Sequence, residues 1–261
     1  MVIGSNYIGR NGRFANQMFQ YAALRGIAAK HEYDICIPSG PKTGEEFIDE
    51  ENQHKLFMAF DLDVQEGDGY IDYRQEKSFT FDQELFDTCP DHVSLYGFFQ
   101  TEKYFKHIEG EIRKDFTFKE SIRRACEESF PFEDAISLHV RRSDYVQKQS
   151  YHPLCPLEYY EAALEKLPED VPVLIFSDDP EWCMKQEMFA SDRFNVSETY
   201  DNLVDMCLMT MCSFHVIANS SFSWWGAWLA DSTKVIAPKV WFGPQANLDD
   251  SDLVPEYWER I

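Results

Sequence analysis

The chain has 261 residues, of which 46 are acidic and 24 basic, so its formal net charge at neutral pH is −22. Apolar residues make up 44% and aromatic residues 15% of the sequence, which is enough for a buried core and excludes a disordered chain. Nucleic-acid binding and broad adhesion to an anionic membrane both need an extended positive field, so the charge argues against both functions.

The first half of the chain opens with a βαβ pattern. Residues 1–8 predict a strand, apolar residues at helical spacing predict a helix over 14–31, and residues 33–38 predict the next strand. Residues 92–105 predict a strand that runs through a loop into a helix. The segment 41–95 is rich in acidic and aromatic residues, and most of it gives no readable pattern.

From about residue 130 strands and helices alternate regularly. The apolar runs are continuous, as in buried parallel strands of a doubly wound α/β sheet. We therefore expect two Rossmann-like domains facing across a cleft, one formed by residues 1–128 and the other by 129–261. The predicted strands of the second half are 134–142, 171–179, 193–196, 214–221 and 234–238, and its predicted helices are 157–167, 180–189, 202–213 and 222–231.

Polar clusters follow three of these predicted strands: "HVRRSD", "FSDDP" and "IANSSFS". Ligands of open α/β sheets bind at the carboxyl ends of the strands. Side chains alternate along a strand, so we expect His139 and Arg141 on one face and Arg142 on the other. A guanidinium matches phosphate oxygens with a planar fork, which favours Arg141 as the anion ligand. The alternative is that both arginines only pair with Asp144 or other nearby acids.

The last of these clusters lies where a strand gives way to a helix. Residues of this kind cap helices, and a helix N-terminus also binds anions, so the cluster favours a phosphate contact while capping alone stays an alternative. Asp178 and Asp179 precede Pro180, where capping of a first helical turn is ordinary. Trp224, Trp225 and Trp228 are expected in the core. The polar residues of the cluster are Asn219, Ser220, Ser221 and Ser223.

Five motifs carry a family resemblance when they are taken together and in order. "GRFANQMFQYA", "GFFQTEKYF", "HVRRSDY", "FSDDPEWC" and "NSSFSWWGAWL" resemble those of the α-1,2-fucosyltransferase family, glycosyltransferase family 11. The resemblance runs from about residue 9 to 242, nearly the whole chain. It implies a GT-B fold and inverting transfer of L-fucose from GDP-L-fucose to the 2-hydroxyl of a galactose or similar sugar, without a metal or other cofactor.

The resemblance also assigns the donor site, mainly to the C-terminal domain. It implies that Arg141 grips the diphosphate, and that Asp205, fifteen residues before the Ser220–Ser221 pair, contacts guanine. Asn16 and Gln17 would lie at the mouth of the cleft. The remaining donor residues that we expect are His139, Arg142, Asp178, Asp179, Asn219, Ser220, Ser221 and Ser223.

The acceptor and the catalytic base are less fully specified. The motif "GFFQTEKYF" places Phe99, Gln100 and Tyr104 on the acceptor side, in the N-terminal domain. The glutamate that serves as candidate base in related α-1,6-fucosyltransferases falls at Gln149, which cannot accept a proton usefully. Asp144 and His152 remain as candidate bases. Ser143 and Ala15 stand where the family has glycine.

Two other functions remain open at this stage. One is a metal-dependent, single-domain glycosyltransferase that uses Asp61 and Asp63 of "LFMAFDLDV". The other is a non-catalytic binder of glycans or nucleotide sugars, an alternative that Gln149 leaves open because it stands in place of the candidate base.

The seven cysteines form no CxxC pair and no zinc-type cluster, so we expect free thiols in a reducing compartment. No secretory leader or long apolar run is apparent, and a cytoplasmic location, with peripheral attachment to the inner membrane face as an alternative, is expected.

Overall fold

The computed structural model describes residues 1–38, 55–67, 69–70, 72–130, 134–232 and 234–261. The acidic segment 45–51, which the sequence suggests is a solvated loop, lies outside the described residues. The chain divides into two compact units. The first comprises Met1–Lys119 and Asp249–Pro255, and the second comprises Glu120–Leu248 and Glu256–Ile261.

The first unit contains a parallel sheet in the order β3-β2-β1-β5-β4. The predicted βαβ opening is confirmed, and the long helix has the predicted bounds because its apolar residues pack inward and Glu32 ends it in a left-handed conformation. Its elements are β1 (Val2–Gly4), α1 (Phe14–His31), β2 (Asp34–Ile37), α2 (Leu56–Ala59), β3 (Gln65–Glu66), β4 (Tyr73–Gln75), α3 (Gln83–Thr88), β5 (Ser94–Tyr96) and α4 (Glu109–Asp115).

The segment after β5 differs from the expected helix. Two 3₁₀ turns, Glu102–Tyr104 and Lys106–Ile108, precede α4. Thr101 caps the first turn with its side chain, and Phe105 between the turns has a non-helical φ of −132°, which prevents a continuous helix. Helix α1 packs closely on this segment, since a Cβ added to Gly26 would lie 1.9 Å from the carbonyl oxygen of Tyr104.

The second unit contains a parallel sheet in the order β11-β10-β9-β6-β7-β8. The predicted alternation is confirmed, while α5 and β11 were not predicted. Strand β6 lies inside the sheet, and all five of its residues are buried. The elements are α5 (Glu120–Ser129), β6 (Ile136–Val140), α6 (Leu157–Leu164), β7 (Val173–Ser177), α7 (Pro180–Met184), β8 (Phe194–Val196), α8 (Asn202–Thr210), β9 (Phe214–Val216), α9 (Ser221–Leu229), β10 (Lys234–Ala237) and β11 (Glu259–Arg260).

The tryptophans of α9 lie in the core, as the sequence predicts. Trp224, Trp225 and Trp228 are buried and contact one another edge-on or stacked. Gly226 allows α8 to pack against α9, because a Cβ there would come within 2.8 Å of the Met209 side chain. In the described ranges, no helix has both the length and the apolar character needed to span a bilayer.

Candidate functional site

The three polar clusters of the second half lie along one edge of the six-stranded sheet. Strands β9, β6 and β7 are neighbours in that order, and all run parallel. The residues that follow these strands therefore meet at the carboxyl edge, where open α/β sheets bind ligands. Arg141 follows β6, Asp178 follows β7, Asn219 and Ser220 lie between β9 and α9, and Ser221 is the first residue of α9.

Arg141 is held between two carboxylates. Its guanidinium donates a hydrogen bond to Asp144 and forms an ion pair with Asp178, with an Nη1 to Oδ2 distance of 2.6 Å. The guanidinium also lies 5.1 Å from the centroid of the Tyr145 ring. Only 16% of the side chain is exposed, so the charge is largely desolvated and fixed in position.

Arg142 is fixed by the aspartates that follow β7. Its backbone N–H donates to Asp178 Oδ1 at 2.8 Å, and its Nε donates to Asp179 Oδ2 at 3.0 Å. The guanidinium lies over the Trp182 ring at 3.9 Å, and Asp179 also caps α7 by accepting from the Trp182 backbone N–H. The pairing with nearby acids that the sequence left as an alternative is therefore present for both arginines.

His139 lies beneath this edge and not at its surface. The side chain is 4% exposed, and Nδ1 is hydrogen-bonded to Ser223 Oγ at 2.8 Å. Burial, with a further contribution from Arg141, lowers the pKa of His139 to about 3, so the ring is neutral at physiological pH. His139 and Ser223, both expected to contact the donor, hydrogen-bond to each other inside the unit, and their donor contacts stay a prediction.

The residues between β9 and α9 divide into internal and surface groups. Asn219 is buried, and its amide donates to the carbonyl oxygens of Pro153 and Trp241 at 3.0 and 2.9 Å. Ser220 caps α9 by accepting from the Phe222 backbone N–H at 3.3 Å. The side chain of Asn219 thus links two loops, and its expected donor contact stays a prediction. Ser220 and Ser221 are partly exposed at the helix start.

Asp205 lies in the first turn of α8, just beyond β8. Its Oδ1 accepts hydrogen bonds from the hydroxyls of Ser197 and Thr199, both at 2.7 Å. Burial raises the pKa of Asp205, and the two hydroxyl hydrogen bonds partly offset that rise. Among the described residues no hydrogen bond reaches its other oxygen, Oδ2.

The two candidate bases, Asp144 and His152, differ in their hydrogen-bond and ion-pair partners. Asp144 is paired with Arg141, and Lys148 lies 3.8 Å from its second oxygen. The His152 ring stacks on Tyr145 at 4.8 Å, and in the described part of the chain no hydrogen bond reaches its ring nitrogens. Burial lowers the pKa of His152, so its neutral, proton-accepting form is dominant at neutral pH. Gln149 is exposed and donates to the Val146 carbonyl oxygen.

The predicted residues of the first unit are mostly internal. Gln17 is buried and bridges the Gly12 carbonyl oxygen and the Lys55 backbone N–H. Asn16 is partly exposed and accepts from the Gln100 amide at 2.8 Å. The three residues expected on the acceptor side are buried, and their acceptor contacts stay a prediction; they are Phe99, Gln100 and Tyr104, at 1%, 8% and 0% exposure.

Glu76 is a functional candidate that the sequence did not reveal. It follows β4, and its carboxylate accepts from the backbone N–H groups of Phe98 and Phe99 at 2.8 and 2.9 Å. Burial raises the pKa of Glu76 to about 7 even though both hydrogen bonds favour its charged form. A lone glutamate in a segment without periodicity carries no signal in the sequence, because its burial depends on the distant turn after β5.

The aspartates of the metal-dependent alternative lie beside an open pocket of the first unit. Asp61 is 84% exposed and lies 3.4 Å from Lys119 Nζ. In the ranges that the structure describes, no three His, Cys, Asp or Glu side chains are grouped to hold a metal ion. The pocket is lined by Phe57, Phe60, Asp61, Leu62, Asp63, Glu66 and Lys119.

The sequence of this chain is similar to glycosyltransferases. The profile of Glycosyl transferase family 11 matches residues 2–258. The chain is 40% identical over 182 residues to an α-1,2-colitosyltransferase of Escherichia coli, an alignment that covers 65% of this chain and 62% of that protein. It is 24% identical over 299 residues to a galactoside α-(1,2)-fucosyltransferase 1 of Bos taurus, which covers 97% of this chain and 78% of that protein.

The fold is similar to solved transferase structures. An α-1,6-fucosyltransferase, NodZ, soaked with GDP-fucose matches with a TM-score of 0.60 at 14% identity, covering 92% of this chain and 95% of that one. Together with the two parallel sheets and their helices, this likeness confirms the predicted α/β, GT-B-like fold class.

Proposed function

The chain belongs to glycosyl transferase family 11, and we propose that it is an inverting α-1,2-fucosyltransferase. The donor is GDP-L-fucose, and the acceptor is the 2-hydroxyl of a galactose or similar sugar in a glycan. The observation that carries the proposal is Arg141, a desolvated guanidinium at the carboxyl end of an interior strand, beside the start of α9. Family membership supports the reaction, and this site supports an anionic leaving group.

In the proposed mechanism the acceptor oxygen attacks C1 of fucose on the side opposite the diphosphate. The bond from C1 to the diphosphate oxygen breaks, and both bonding electrons leave with GDP. Arg141 and Arg142 stabilise the charge that develops on the diphosphate, assisted by the positive end of the α9 helix dipole. Both guanidiniums are already oriented by carboxylates, so little reorganisation is needed when charge develops.

The proton of the attacking hydroxyl needs an acceptor, and His152 is our choice. His152 is neutral at physiological pH because burial lowers its pKa. Asp144, the other candidate base, already accepts a hydrogen bond from Arg141. A positioned base contributes about 10²–10⁴-fold to the rate. Asp144 then acts as the partner that holds Arg141 in place.

The remaining donor and domain assignments belong to the same proposal. Asp205 accepts from guanine, Ser220 and Ser221 lie on phosphate, and Asp178 and Asp179 orient the arginines. The C-terminal half, 129–261, binds the donor, and the N-terminal half, 1–128, binds the acceptor through groups near Asn16. Free cysteines, which all seven are in the structure, are consistent with the cytoplasmic location that we also propose.

A second donor sugar has a specific observation in its favour. The relative with 40% identity is named a colitosyltransferase, and colitose is L-fucose without its 3-hydroxyl. An apolar pocket rejects an added hydroxyl only weakly, whereas a site that hydrogen-bonds the hydroxyl rejects the analogue lacking it strongly. A strong preference for GDP-fucose over GDP-colitose would therefore indicate that a polar group of this chain forms a hydrogen bond with the 3-hydroxyl.

The experiment that tests the function uses the full chain with galactose-terminated acceptors. GDP-fucose and GDP-colitose are supplied separately, GDP release is measured, and the linkage of the product is read by NMR. An α-1,2 linkage formed from GDP-fucose supports the proposal. GDP-sugar binding without any GDP release supports the non-catalytic alternative. Turnover in excess EDTA supports a metal-independent reaction, and loss of turnover that Mg²⁺ restores contradicts it.

A further inference from the structure

The loop between β8 and α8 presents an unusual tyrosine. Tyr200 is 82% exposed, more than any other large apolar or aromatic side chain in the described ranges. Its φ of 51° lies in the left-handed region, which bulky residues rarely adopt. A conformation of this kind persists only where the surroundings hold it, and such residues cluster at ligand-binding sites.

The backbone on both sides of Tyr200 is held by side-chain hydrogen bonds. Thr199 donates through its hydroxyl to Asp205 Oδ1 at 2.7 Å, and the Asp201 backbone N–H donates to the same hydroxyl at 3.3 Å. Asp201 caps α8 by accepting from the Leu203 backbone N–H at 2.8 Å. The loop backbone is therefore held in a conformation that leaves the Tyr200 ring in solvent, where the ring adds almost no buried area to the fold.

The loop lies where we would expect the base of a nucleotide whose diphosphate is bound at Arg141. Strands β6, β7 and β8 are adjacent and parallel, so Tyr200 lies beyond the same carboxyl edge as Arg141. Two strand spacings, about 10 Å, separate the ends of β6 and β8. A nucleoside diphosphate bridges such a span when its diphosphate lies at Arg141 and its base lies over β8.

We propose that Tyr200 is the stacking platform for the nucleobase of the donor, with Asp205 beside it to accept from the edge of the base. This inference rests on the proposed function and adds to it the contact with the face of the base. Every base has a π-face, so the ring supplies affinity, and Asp205 Oδ2, with no hydrogen bond among the described residues, supplies selectivity.

The test separates the ring from the strained backbone. Tyr200→Gly removes the ring at a residue type that adopts positive φ freely, and Tyr200→Phe keeps the ring without the hydroxyl. Tyr257→Gly is the matched control, because Tyr257 is also exposed, at 53%, but precedes β11 and so lies at the opposite edge of the sheet. Binding of GDP and of pyrophosphate to each variant is measured by calorimetry.

We expect Tyr200→Gly to raise the Kd of GDP about 5- to 150-fold, the range that one stacked base contributes. The Kd of pyrophosphate, which has no base, should stay within about twofold, and Tyr200→Phe and Tyr257→Gly should bind both ligands nearly as the wild type does. Unchanged GDP affinity in Tyr200→Gly overturns the inference. An equal loss of GDP and pyrophosphate affinity also overturns it, since the loop would then act only through structure.

Parallel titrations with UDP and ADP distinguish this inference from the proposed function. A wild-type chain that binds UDP in place of GDP, with the same dependence on the Tyr200 ring, contradicts the proposed donor and supports the stacking contact. A wild-type chain that binds GDP with no dependence on the ring supports the proposed donor and contradicts the stacking contact. A wild-type chain that binds no nucleotide overturns both.

Discussion

The positive charge of Arg141 is balanced by neighbouring carboxylates. Arg141 and Arg142 together contact three carboxylates, those of Asp144, Asp178 and Asp179. An incoming diphosphate must therefore share the guanidiniums with these acids or displace one of them. The advantage of the arrangement is orientation, because a guanidinium that is already fixed loses little side-chain freedom when the anion binds.

Replacing Arg141 tests the proposed diphosphate contact. Arg141→Ala should reduce transfer below about a tenth of the wild-type rate, because it removes the cation and leaves Asp144 and Asp178 facing the phosphate. Arg193→Ala is the matched control, since Arg193 precedes β8 at the opposite edge and donates to the carbonyl oxygens of Val171 and Pro168. Initial rates and circular dichroism of both variants provide the measurement. Turnover above a tenth in a folded Arg141→Ala protein would contradict the assignment.

The pH dependence of kcat/KM distinguishes His152 from Glu76 as the base. Burial lowers the pKa of His152, so a His152 base stays neutral and active at a more acidic pH than an ordinary histidine would, and activity falls as pH falls through the lowered pKa. Burial raises the pKa of Glu76 to about 7, so a Glu76 base would lose activity already as pH falls through 7.

Substitution of each candidate base provides a second test of which residue accepts the proton. We expect His152→Ala to lower kcat about 10²–10⁴-fold and to remove the acidic limb of the profile, while Glu76→Gln leaves that limb in place. A profile whose acidic limb is centred near pH 7, and which disappears in Glu76→Gln, would assign the proton transfer to the first unit.

At the scale of elements, the sequence predicts what depends on local pattern. Helix α1 has its predicted bounds because its spacing and its stop at Glu32 are both local. The strand ends of the second unit were predicted to converge because parallel strands share a carboxyl edge. Burial was not predictable, since His139, Asn219 and Tyr104 are covered by segments distant in sequence. Helix α5 was not predicted because half of its residues are charged and its apolar face is narrow.

Two helical glycines give opposite predictions for the same substitution. Alanine in place of a helical glycine ordinarily stabilises a helix by about 0.5–1 kcal/mol. Gly110→Ala in α4 should show this stabilisation, because among the described residues no atom beyond its chain neighbours and its own helix backbone lies within 4 Å of the added Cβ. Gly26→Ala in α1 should instead destabilise by roughly 1–3 kcal/mol or more, because its Cβ would lie 1.9 Å from the Tyr104 backbone oxygen.

Urea denaturation of the two alanine variants beside the wild type provides the measurement. The first unit is the one affected in both cases, so the comparison does not depend on how the two units unfold relative to each other. Equal shifts of the midpoint in the same direction would mean that α1 does not pack on the Glu102–Tyr104 turn as the structure describes.

At the scale of the whole molecule, the charge of −22 acts on every anionic ligand before contact. The candidate site does not offset this field at long range, because its guanidiniums are balanced by aspartates. Donor binding thus combines long-range repulsion with short-range hydrogen bonds. The two contributions respond differently to salt, since screening acts most on separated, exposed charges.

The association rate of GDP should therefore rise with ionic strength, contrary to the usual behaviour of an anion that approaches a basic site. Between about 0.01 and 0.15 M salt the Debye length falls from roughly 30 to 8 Å, which removes most of the repulsion beyond the first contact. We expect a several-fold increase in the association rate, measured by stopped-flow, while uncharged guanosine shows no change. A rate for GDP that falls with salt would show that the arginines steer the ligand at long range despite their aspartate partners.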